Sequence, residues 1–379
     1  MKTRVYWLGR LQELWTEKSI VWLSGVRRIG KTCLCQQLPN HNYLNCDLPS
    51  VQRQLQDPEF FLSQQSPART VVLDEVHRLP DPSLLLKIAA DEFPRLRILA
   101  TGSSTLDATR KFRDSLTDRK RSLRLPPVLW QECIGRFACD LDRRLLHGGF
   151  PERLLASNPD SGFYEDWIDS FYARDILELF GIRNRIGFLS LLQLVCLRNG
   201  GQLDVSDLAK ESGMSRPTVM SHLDAMEIAH AIIRIPPYHG GGHREIVRQP
   251  KIYAFDTGLV AYVQGWESIR ESDRGVLWEN LVLDELLAVH PRRSIHYWRD
   301  KSQRELDFVV DAGGGKADAI EAKIRPDRFN PKALTAFREL HPAGKNFIVS
   351  PLVDQPYMIS SNGFAIAVCR PDQMNMNML

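Results

Sequence analysis

The sequence of 379 residues lacks any long apolar run. Its longest uncharged apolar stretch, Phe188–Leu197, is about half as long as a membrane-spanning helix needs to be. The N-terminal stretch Met1–Trp15 places charged residues between its apolar ones, which is typical of an amphipathic helix and not of a signal peptide. We therefore expect a soluble, cytoplasmic protein.

Cysteine is scarce as well. The seven cysteines are odd in number and show no paired Cys-x-x-Cys spacing, so we expect a reducing compartment, no disulfide framework and no zinc site. Cys33-Leu34-Cys35 falls in a predicted helix, where we expect burial.

The sequence has almost no excess of one sign of charge, because 49 Lys and Arg residues face 46 Asp and Glu residues and the net charge is only +3. This value is too small to indicate a nucleic-acid partner without local clustering. The apolar content of 43% and charged content of 25% are those of a globular protein, and the length predicts about two to three domains.

The most informative stretch is Ile20–Cys35, IVWLSGVRRIGKTCLC. Its apolar start predicts a short buried strand, and Gly25-x-x-x-x-Gly30-Lys31-Thr32 then has the spacing of a phosphate-binding loop. Glycines let successive N–H groups turn onto phosphates, and a helix N-terminus begins there. Lys31 would lie near the β and γ oxygens, and the Thr32 hydroxyl would bind Mg²⁺. The predicted nucleotide-binding residues are Gly25, Val26, Arg27, Arg28, Ile29, Gly30, Lys31, Thr32 and Cys33.

A second stretch, Thr70–Glu75 (TVVLDE), is β-branched and ends in two acids. In a phosphate-loop ATPase the first acid holds Mg²⁺ through water and the second polarises the attacking water, which are the roles we predict for Asp74 and Glu75. Alone, such a strand would be read as one that simply meets solvent. After a phosphate loop it predicts ATP and Mg²⁺ as ligands.

The remaining pattern up to Leu125 alternates strands with helices. We predict strands at Asn42–Asn45, Arg97–Thr101 and Arg121–Leu125, and a helix over Pro82–Asp91, which Asp81-Pro82 would start. This alternation predicts an α/β core with a parallel sheet covered on both faces. Thr101 or Ser103 would sense the γ-phosphate, as in ATPases with an extra strand beside the metal strand; a helix cap is an equal alternative for Ser103.

The stretch Thr109–Arg124 is rich in Arg and Lys. It has three interpretations: a solvated basic helix, an arginine finger that reaches a neighbouring subunit's nucleotide, or a surface that faces DNA.

The motifs Gly25-x-Arg27-Arg28-x-Gly30-Lys31-Thr32, Leu73-Asp74-Glu75 and Thr101-Gly102-Ser103 resemble a large prokaryotic family of AAA-type, archaeal-ATPase-like proteins. Members carry a C-terminal domain of unknown function. The resemblance covers nearly the whole chain and continues through Ser115-Leu116-x-x-Arg119, His147-Gly148-Gly149-Phe150-Pro151-Glu152, Arg174-Asp175-Ile176, Tyr253-x-x-Asp256-x-Gly258-Leu259, and Glu305-x-Asp307 with Glu321-x-Lys323. It implies a homo-oligomer, expected as a hexameric ring, with Arg119 as the finger. The family usually has Gly-Arg where this chain has Asp118-Arg119, so Arg113 is the alternative.

Beyond the core, the helix-rich stretch Leu141–Arg185 is predicted to be a small lid. Within it, Arg153 is either a second nucleotide sensor or a member of a surface salt bridge.

The next stretch has the pattern of a winged helix-turn-helix. Helices are predicted over Leu189–Arg198, Val205–Ser212 and Arg216–Met226, with a turn at Gly213, a cap at Ser215 and a wing of two strands. Candidate DNA contacts are Arg216, Thr218, Ser221, His222 and, in a glycine-rich wing tip, Arg244. Winged helices that serve only as protein spacers have the same pattern.

The last stretch predicts an amphipathic helix, Val276–Val289, and three strands, Ile295–Trp298, Glu305–Asp311 and Ala317–Lys323. Asp307 followed by Glu321-Ala322-Lys323 resembles the core of restriction-endonuclease-like nucleases. Asp307 and Glu321 would hold Mg²⁺, Lys323 would orient the attacking water, and Glu279 would complete the cluster. Such residue pairs are also common on exposed strands.

These patterns predict four domains: an ATPase core (1–137), a helical lid (138–186), a winged helix-turn-helix (187–272) and a restriction-endonuclease-like domain (273–379). We expect an ATPase that moves or remodels DNA, with branched repair intermediates such as Holliday junctions among its substrates. The alternatives are an ATP-gated nuclease and a nucleotide-switched, protein-binding scaffold.

Overall fold

The computed structural model describes residues 2–102, 106, 110–157, 160–239 and 249–374. They form two compact units. The first contains the chain up to Pro126 with Glu165–Arg183 and Ile228–Ala231, and the second contains Pro127–Tyr164, Asn184–Glu227 and the chain from Ile232 onward. The predicted lid, 138–186, is thus divided between the two units.

A five-stranded parallel sheet forms the first unit. Its strands run in the order β2-β3-β4-β1-β5, and every neighbouring pair is parallel. Their bounds are Ile20–Ser24 (β1), His41–Asn45 (β2), Thr70–Asp74 (β3), Ile98–Thr101 (β4) and Lys120–Arg124 (β5). The predicted parallel α/β sheet is confirmed, and β4 lies between the phosphate-loop strand β1 and the acidic strand β3.

The helices of this unit begin where local sequence favours them. For example, Asp81 Oδ1 accepts a hydrogen bond of 3.1 Å from Leu84 N and so caps the helix Pro82–Glu92. The sheet buries β1 and β3 completely, and Trp22 packs on Phe112 in its core. The described residues of this unit also form the helices Val5–Glu17, Lys31–Gln36, Pro49–Gln54, Pro58–Ser63, Arg110–Leu116 and Glu178–Phe180, a π-helical stretch over Tyr172–Leu177, and the part of the helix Phe163–Phe171 that follows Tyr164.

The second unit contains a small antiparallel sheet, in the order β6-β8-β7. Its strands are Gly201–Gln202 (β6), Ile232–Ile235 (β7) and Lys251–Ala254 (β8). Two helices precede β7, Val205–Ser212 and Arg216–Ile228, and Gly213 between them has a φ of 66°. Glycine adopts this left-handed conformation without the steric cost of a Cβ atom.

A six-stranded mixed sheet forms the rest of the second unit, in the order β13-β14-β12-β11-β10-β9. β9, β10 and β11 are antiparallel neighbours, and β11, β12 and β14 are parallel. The bounds are Ile295–Arg299 (β9), Glu305–Gly313 (β10), Lys316–Ala322 (β11), Asn346–Val349 (β12), Tyr357–Ser361 (β13) and Phe364–Cys369 (β14). The unit's helices are Trp130–Glu132, Leu141–His147, Pro151–Leu155, Arg185–Leu197, Thr257–Val263, Glu271–Val289 and Lys332–Leu340.

Two of the motifs that carried the family resemblance meet in a buried polar network of the second unit. Arg144 and Asp256 are fully buried with 3.6 Å between their charged groups, and Asp256 Oδ1 accepts a hydrogen bond of 2.7 Å from Gly149 N. A Cβ atom on Gly148 would lie 2.1 Å from Asp256 Oδ2. The glycines of His147–Glu152 and the Asp256 motif therefore serve close packing here.

No single helix in the described residues is both long and apolar enough to span a membrane. Two consecutive helical stretches, Phe163–Phe180 and Arg185–Leu197, reach the required length and hydropathy only when taken together across the bend between them.

Candidate nucleotide-binding site

The phosphate loop joins β1 to the helix Lys31–Gln36 and depends on its glycines. Gly25 has a φ of 144°, and a Cβ atom there would lie 2.6 Å from the carbonyl oxygen of Leu125. Gly30 has a φ of 98° immediately before the helix. The Lys31 Nζ donates to the carbonyl oxygens of Gly25 (2.9 Å) and Val26 (3.1 Å), and burial lowers its pKa. The lysine is thus already held over the loop that would surround the phosphates.

Asp74 is the centre of the site. It is buried at the end of β3, and its Oδ2 accepts hydrogen bonds from the hydroxyls of Thr32 (2.8 Å) and Tyr43 (2.6 Å). Its Oδ1 accepts a hydrogen bond from Thr101. A hydroxyl beside a carboxylate is an oxygen donor set that suits Mg²⁺, which commonly keeps several waters and binds one or two protein oxygens. Thr32 and Asp74 therefore fit the predicted metal role.

Glu75 directly follows Asp74 and is the first residue after β3. It has a φ of 57°, and its N–H donates to Thr101 Oγ1 at 3.0 Å. Its Oε2 lies 3.2 Å from the Nδ1 of His77. The two carboxylates have different partners, His77 for Glu75 and the hydroxyls named above for Asp74, so the two acids can have separate roles. Thr101 contacts both acids, and its role as a γ-phosphate sensor stays a prediction.

The loop is also held by the segment Glu165–Arg183 of the same unit. Trp167 Nε1 donates to the carbonyl oxygen of Arg27 at 3.1 Å, and the Arg27 Nε lies 3.0 Å from Asp175 Oδ2. Sequence reasoning missed these contacts, as it missed Tyr43 and His77. Only the quoted motif that contains Asp175 pointed toward any of them.

One prediction about the helix after the loop is wrong. Leu34 and Cys35 are buried, but Cys33 is exposed, because successive residues of a helix point in different directions.

Arg119 lies at the opposite end of the sheet from its own phosphate loop. Lys120 pairs with Ile20, the first residue of β1, whereas the loop follows the last, so the separation is on the order of 15 Å along the strands. The Arg119 Nε donates to Asp91 Oδ1 at 2.6 Å. The role of Arg119 as a finger for a neighbouring subunit's nucleotide stays a prediction. Ser103 and the side chain of Arg113 lie outside the described residues.

The predicted DNA-contacting residues are on the helix Arg216–Ile228. Arg216 is exposed and donates to Ser206 Oγ at 2.9 Å, and Thr218 shares a hydrogen bond of 2.8 Å with Ser215, which caps the helix. The interpretation of His222 as a contact is wrong, because it is 6% exposed and packs against Phe188. Arg244 lies outside the described residues.

Arg153 forms no surface salt bridge in the described structure. It is buried and donates to the carbonyl oxygens of His147 (3.1 Å) and Asp160 (2.6 Å). Its guanidinium also lies 4.8 Å from the centre of the Tyr164 ring.

Three of the predicted nuclease-like residues meet in the second unit. The Lys323 Nζ lies 2.9 Å from Asp307 Oδ2 and 2.6 Å from Glu321 Oε2. Burial, followed by the charge of Asp307, raises the pKa of Glu321 to about 8. Burial opposes ionisation of Asp307 too, but Lys323 and Lys251 bring its pKa below the usual value.

Glu279 is held by a second lysine. The Lys251 Nζ lies 2.9 Å from Glu279 Oε1 and 2.6 Å from Glu305 Oε1, and the Tyr253 hydroxyl donates to the same Glu279 oxygen at 2.5 Å. We call Glu279, Glu305, Asp307 and Glu321 the C-terminal carboxylate cluster. In the described part of the chain, no group of three or more His, Cys, Asp or Glu residues is arranged to hold a metal ion.

The parallel sheet, the phosphate loop and the acids at the end of β3 are those of an AAA-type P-loop ATPase. A family model described as an AAA domain matches residues 17–134. Two further models, each described as a domain of unknown function, match residues 139–270 and 274–367.

Two curated proteins resemble most of the chain. These are the uncharacterized protein Rv2008c of Mycobacterium tuberculosis and the uncharacterized protein Mb2031c of Mycobacterium bovis. Each is 30% identical over 318 residues, which is 81% of this chain and 70% of the relative. The chain belongs to the same family as these two proteins.

Solved structures resemble the chain only distantly. A RuvB variant of Thermotoga maritima is 17% identical with a TM-score of 0.30, over 62% of this chain and 90% of that one. The Orc1 protein of Aeropyrum pernix, solved in complex with DNA, is 12% identical with a TM-score of 0.30, over 76% and 94%.

Proposed function

We propose that the chain hydrolyses ATP and uses the energy to move or remodel DNA, acting as a ring-shaped homo-oligomer. The observation that carries the hydrolysis step is the arrangement around β3. Asp74 accepts hydrogen bonds from Thr32 and Thr101, while the carboxylate of the next residue, Glu75, contacts His77 instead.

In this proposal each residue of the site has one task. Lys31 and the loop N–H groups bind the phosphates of ATP, and Thr32 with Asp74 would hold Mg²⁺. Bound Mg²⁺ would neutralise negative charge on the phosphate oxygens. Glu75 orients the attacking water and accepts its proton, and Thr101 keeps the two acids in register.

The action on DNA is supported by the second unit. The two helices Val205–Ser212 and Arg216–Ile228, the Gly213 turn and the β7–β8 pair have the order of a winged helix-turn-helix. We also propose a restriction-endonuclease-like fold for the last part of the chain. Its elements follow in the order helix Glu271–Val289, β9, β10, β11, helix Lys332–Leu340 and β12. We propose that both bind DNA, chiefly through phosphate contacts.

A nuclease is the second candidate, because Lys323 joins Asp307 and Glu321 on neighbouring strands. We favour binding without cutting, since two lysines occupy the carboxylates and no metal-binding group is assembled in the described residues. The scaffold alternative is disfavoured, because a nucleotide switch alone has no need of Glu75 beside Asp74.

The test measures ATP binding and hydrolysis by the full chain, alone and with linear, forked and four-way DNA. Lys31→Ala should lose ATP binding. Glu75→Gln should bind ATP normally and hydrolyse it on the order of a thousandfold more slowly, because it removes the group that accepts the proton. DNA should stimulate the wild type, most strongly in branched form.

The matched control is Lys87→Ala, on an exposed position of the helix Pro82–Glu92, which should behave as wild type. Normal hydrolysis by Glu75→Gln would show that the base is misassigned. A rate unchanged by every DNA would remove the DNA-acting part of the proposal and leave the ATPase part standing.

A further inference from the structure

The C-terminal carboxylate cluster receives a residue from outside the stretch that resembles nucleases. Lys251 is the first residue of β8, in the segment predicted as a winged helix-turn-helix. Its strand is the middle strand of the small sheet, paired on both sides, so the position of the Lys251 backbone is fixed. No nuclease pattern in the sequence includes this lysine.

The Lys251 ammonium lies between the carboxylates of Glu279 and Glu305, in the position that a bound metal ion would need. It lies 2.9 Å from Glu279 Oε1 and 2.6 Å from Glu305 Oε1, and its side chain is only 3% exposed. The ring centre of Tyr297 lies 5.7 Å from Nζ on another side. Both the charge and its location are therefore set by the fold.

The groups around Lys251 favour its ammonium form. Burial alone would lower the pKa of Lys251, but the carboxylate of Glu279, followed by Tyr253, Asp307 and Glu305, raises it well above the usual value.

The other half of the cluster is occupied in the same way. Lys323 lies between Asp307 and Glu321, so each of the four carboxylates contacts one of two ammonium groups, and Arg299 adds a third cation 2.9 Å from Glu305 Oε2. A divalent ion among these groups would be repelled by fixed positive charges at short range. The residues present do not fit the metal that the nuclease resemblance implies.

We propose that Lys251 supplies the cation of the C-terminal carboxylate cluster, so that this cluster binds no divalent metal and does not cleave phosphodiester bonds. The inference deepens the part of the proposed function in which this sheet binds DNA without cutting it, and it does not depend on the phosphate loop. It also distinguishes this chain from an enzyme whose metal has merely not been loaded.

The test is a Mn²⁺ titration of nucleotide-free, full-length protein, followed by electron paramagnetic resonance. All variants carry Asp74→Asn, so that the phosphate loop contributes no ion. The parent protein should show no Mn²⁺ site that Glu279→Gln removes. Lys251→Gln should gain one site, with affinity on the order of a hundredfold higher or more, because a fixed positive charge has been removed from between two carboxylates.

Lys251→Arg is the matched control, since it keeps the positive charge and should gain no site. Adding Glu279→Gln to Lys251→Gln should abolish the gained site. The proposal is overturned if the parent binds Mn²⁺ at a site lost in Glu279→Gln, or if Lys251→Gln is folded by circular dichroism and gains no site. If Lys251→Gln does not fold, the comparison of the parent with Glu279→Gln decides. Neither result bears on ATP hydrolysis, which Glu75→Gln tests separately.

Discussion

At the scale of single residues, Thr101 joins the two acids of the nucleotide site. Its hydroxyl donates to Asp74 and accepts from the N–H of Glu75. It is fully buried, so water cannot replace these bonds. One hydroxyl thereby fixes the carboxylate proposed to hold the metal and the backbone of the residue proposed to activate water.

Removing that hydroxyl should reduce hydrolysis more than binding. Thr101→Val keeps the shape but removes the hydroxyl to which Asp74 Oδ1 and the N–H of Glu75 are hydrogen-bonded, and misplacement of a catalytic carboxylate should lower kcat on the order of a hundredfold. Thr101→Ser retains the hydroxyl and should keep most of the activity. Steady-state ATPase rates and nucleotide affinities of the two variants make the comparison. Equal rates for the two variants would show that the hydroxyl has no catalytic part.

At the scale of elements, the phosphate loop is held by a helix far along the sequence. Trp167 Nε1 donates to the carbonyl oxygen of Arg27, in the middle of the loop. A loop whose backbone is restrained before ATP arrives loses less conformational entropy on binding it. We therefore expect the helix that carries Trp167 to contribute to nucleotide affinity, although it lies outside the sequence motif.

Trp167→Phe should weaken ATP binding about fivefold, because a neutral hydrogen bond is worth about 1 kcal/mol and the aromatic ring remains. The matched control is Trp15→Phe. Trp15 Nε1 makes an equivalent bond of 3.1 Å to the carbonyl oxygen of Ile98, at the start of β4 and away from the loop. Isothermal titration with ATP should find the loss only in Trp167→Phe; equal losses in both variants would indicate a general effect on stability.

The elements themselves were largely predictable, and their partners were not. β1 and β3 are short apolar runs that end in a glycine loop or in acids, and the helix Val205–Ser212 has the predicted bounds, because local pattern decides them. Tyr43, Trp167 and Lys251 had no such signal. Each acts through a contact between residues far apart in sequence, which periodicity and spacing do not encode.

At the scale of the whole molecule, neither of the two units is a single continuous stretch of the sequence. Residues 165–183 belong to the first unit, although 127–164 and 184–227 belong to the second. The four predicted domains are contiguous stretches, because composition and periodicity are local properties of the sequence. They do not show that a later segment packs into an earlier unit. Asp175 lies in the segment 165–183 and contacts Arg27 of the phosphate loop, so this later segment contributes a residue to the site.

Substitution of Arg119 tests whether copies of the chain assemble and complete one another's nucleotide sites. Because it lies at the far end of the sheet from its own loop, Arg119→Ala should abolish turnover while leaving ATP affinity nearly unchanged, if the arginine completes a neighbour's site. The matched control is Arg121→Ala, which removes a similarly exposed arginine paired with Glu17 at 2.6 Å and should retain activity. Mixing Arg119→Ala with Lys31→Ala should restore part of the turnover, since one protein supplies an intact loop and the other an intact finger. A specific activity that does not change with protein concentration, from a chain that remains monomeric in sedimentation, would exclude a finger donated between subunits.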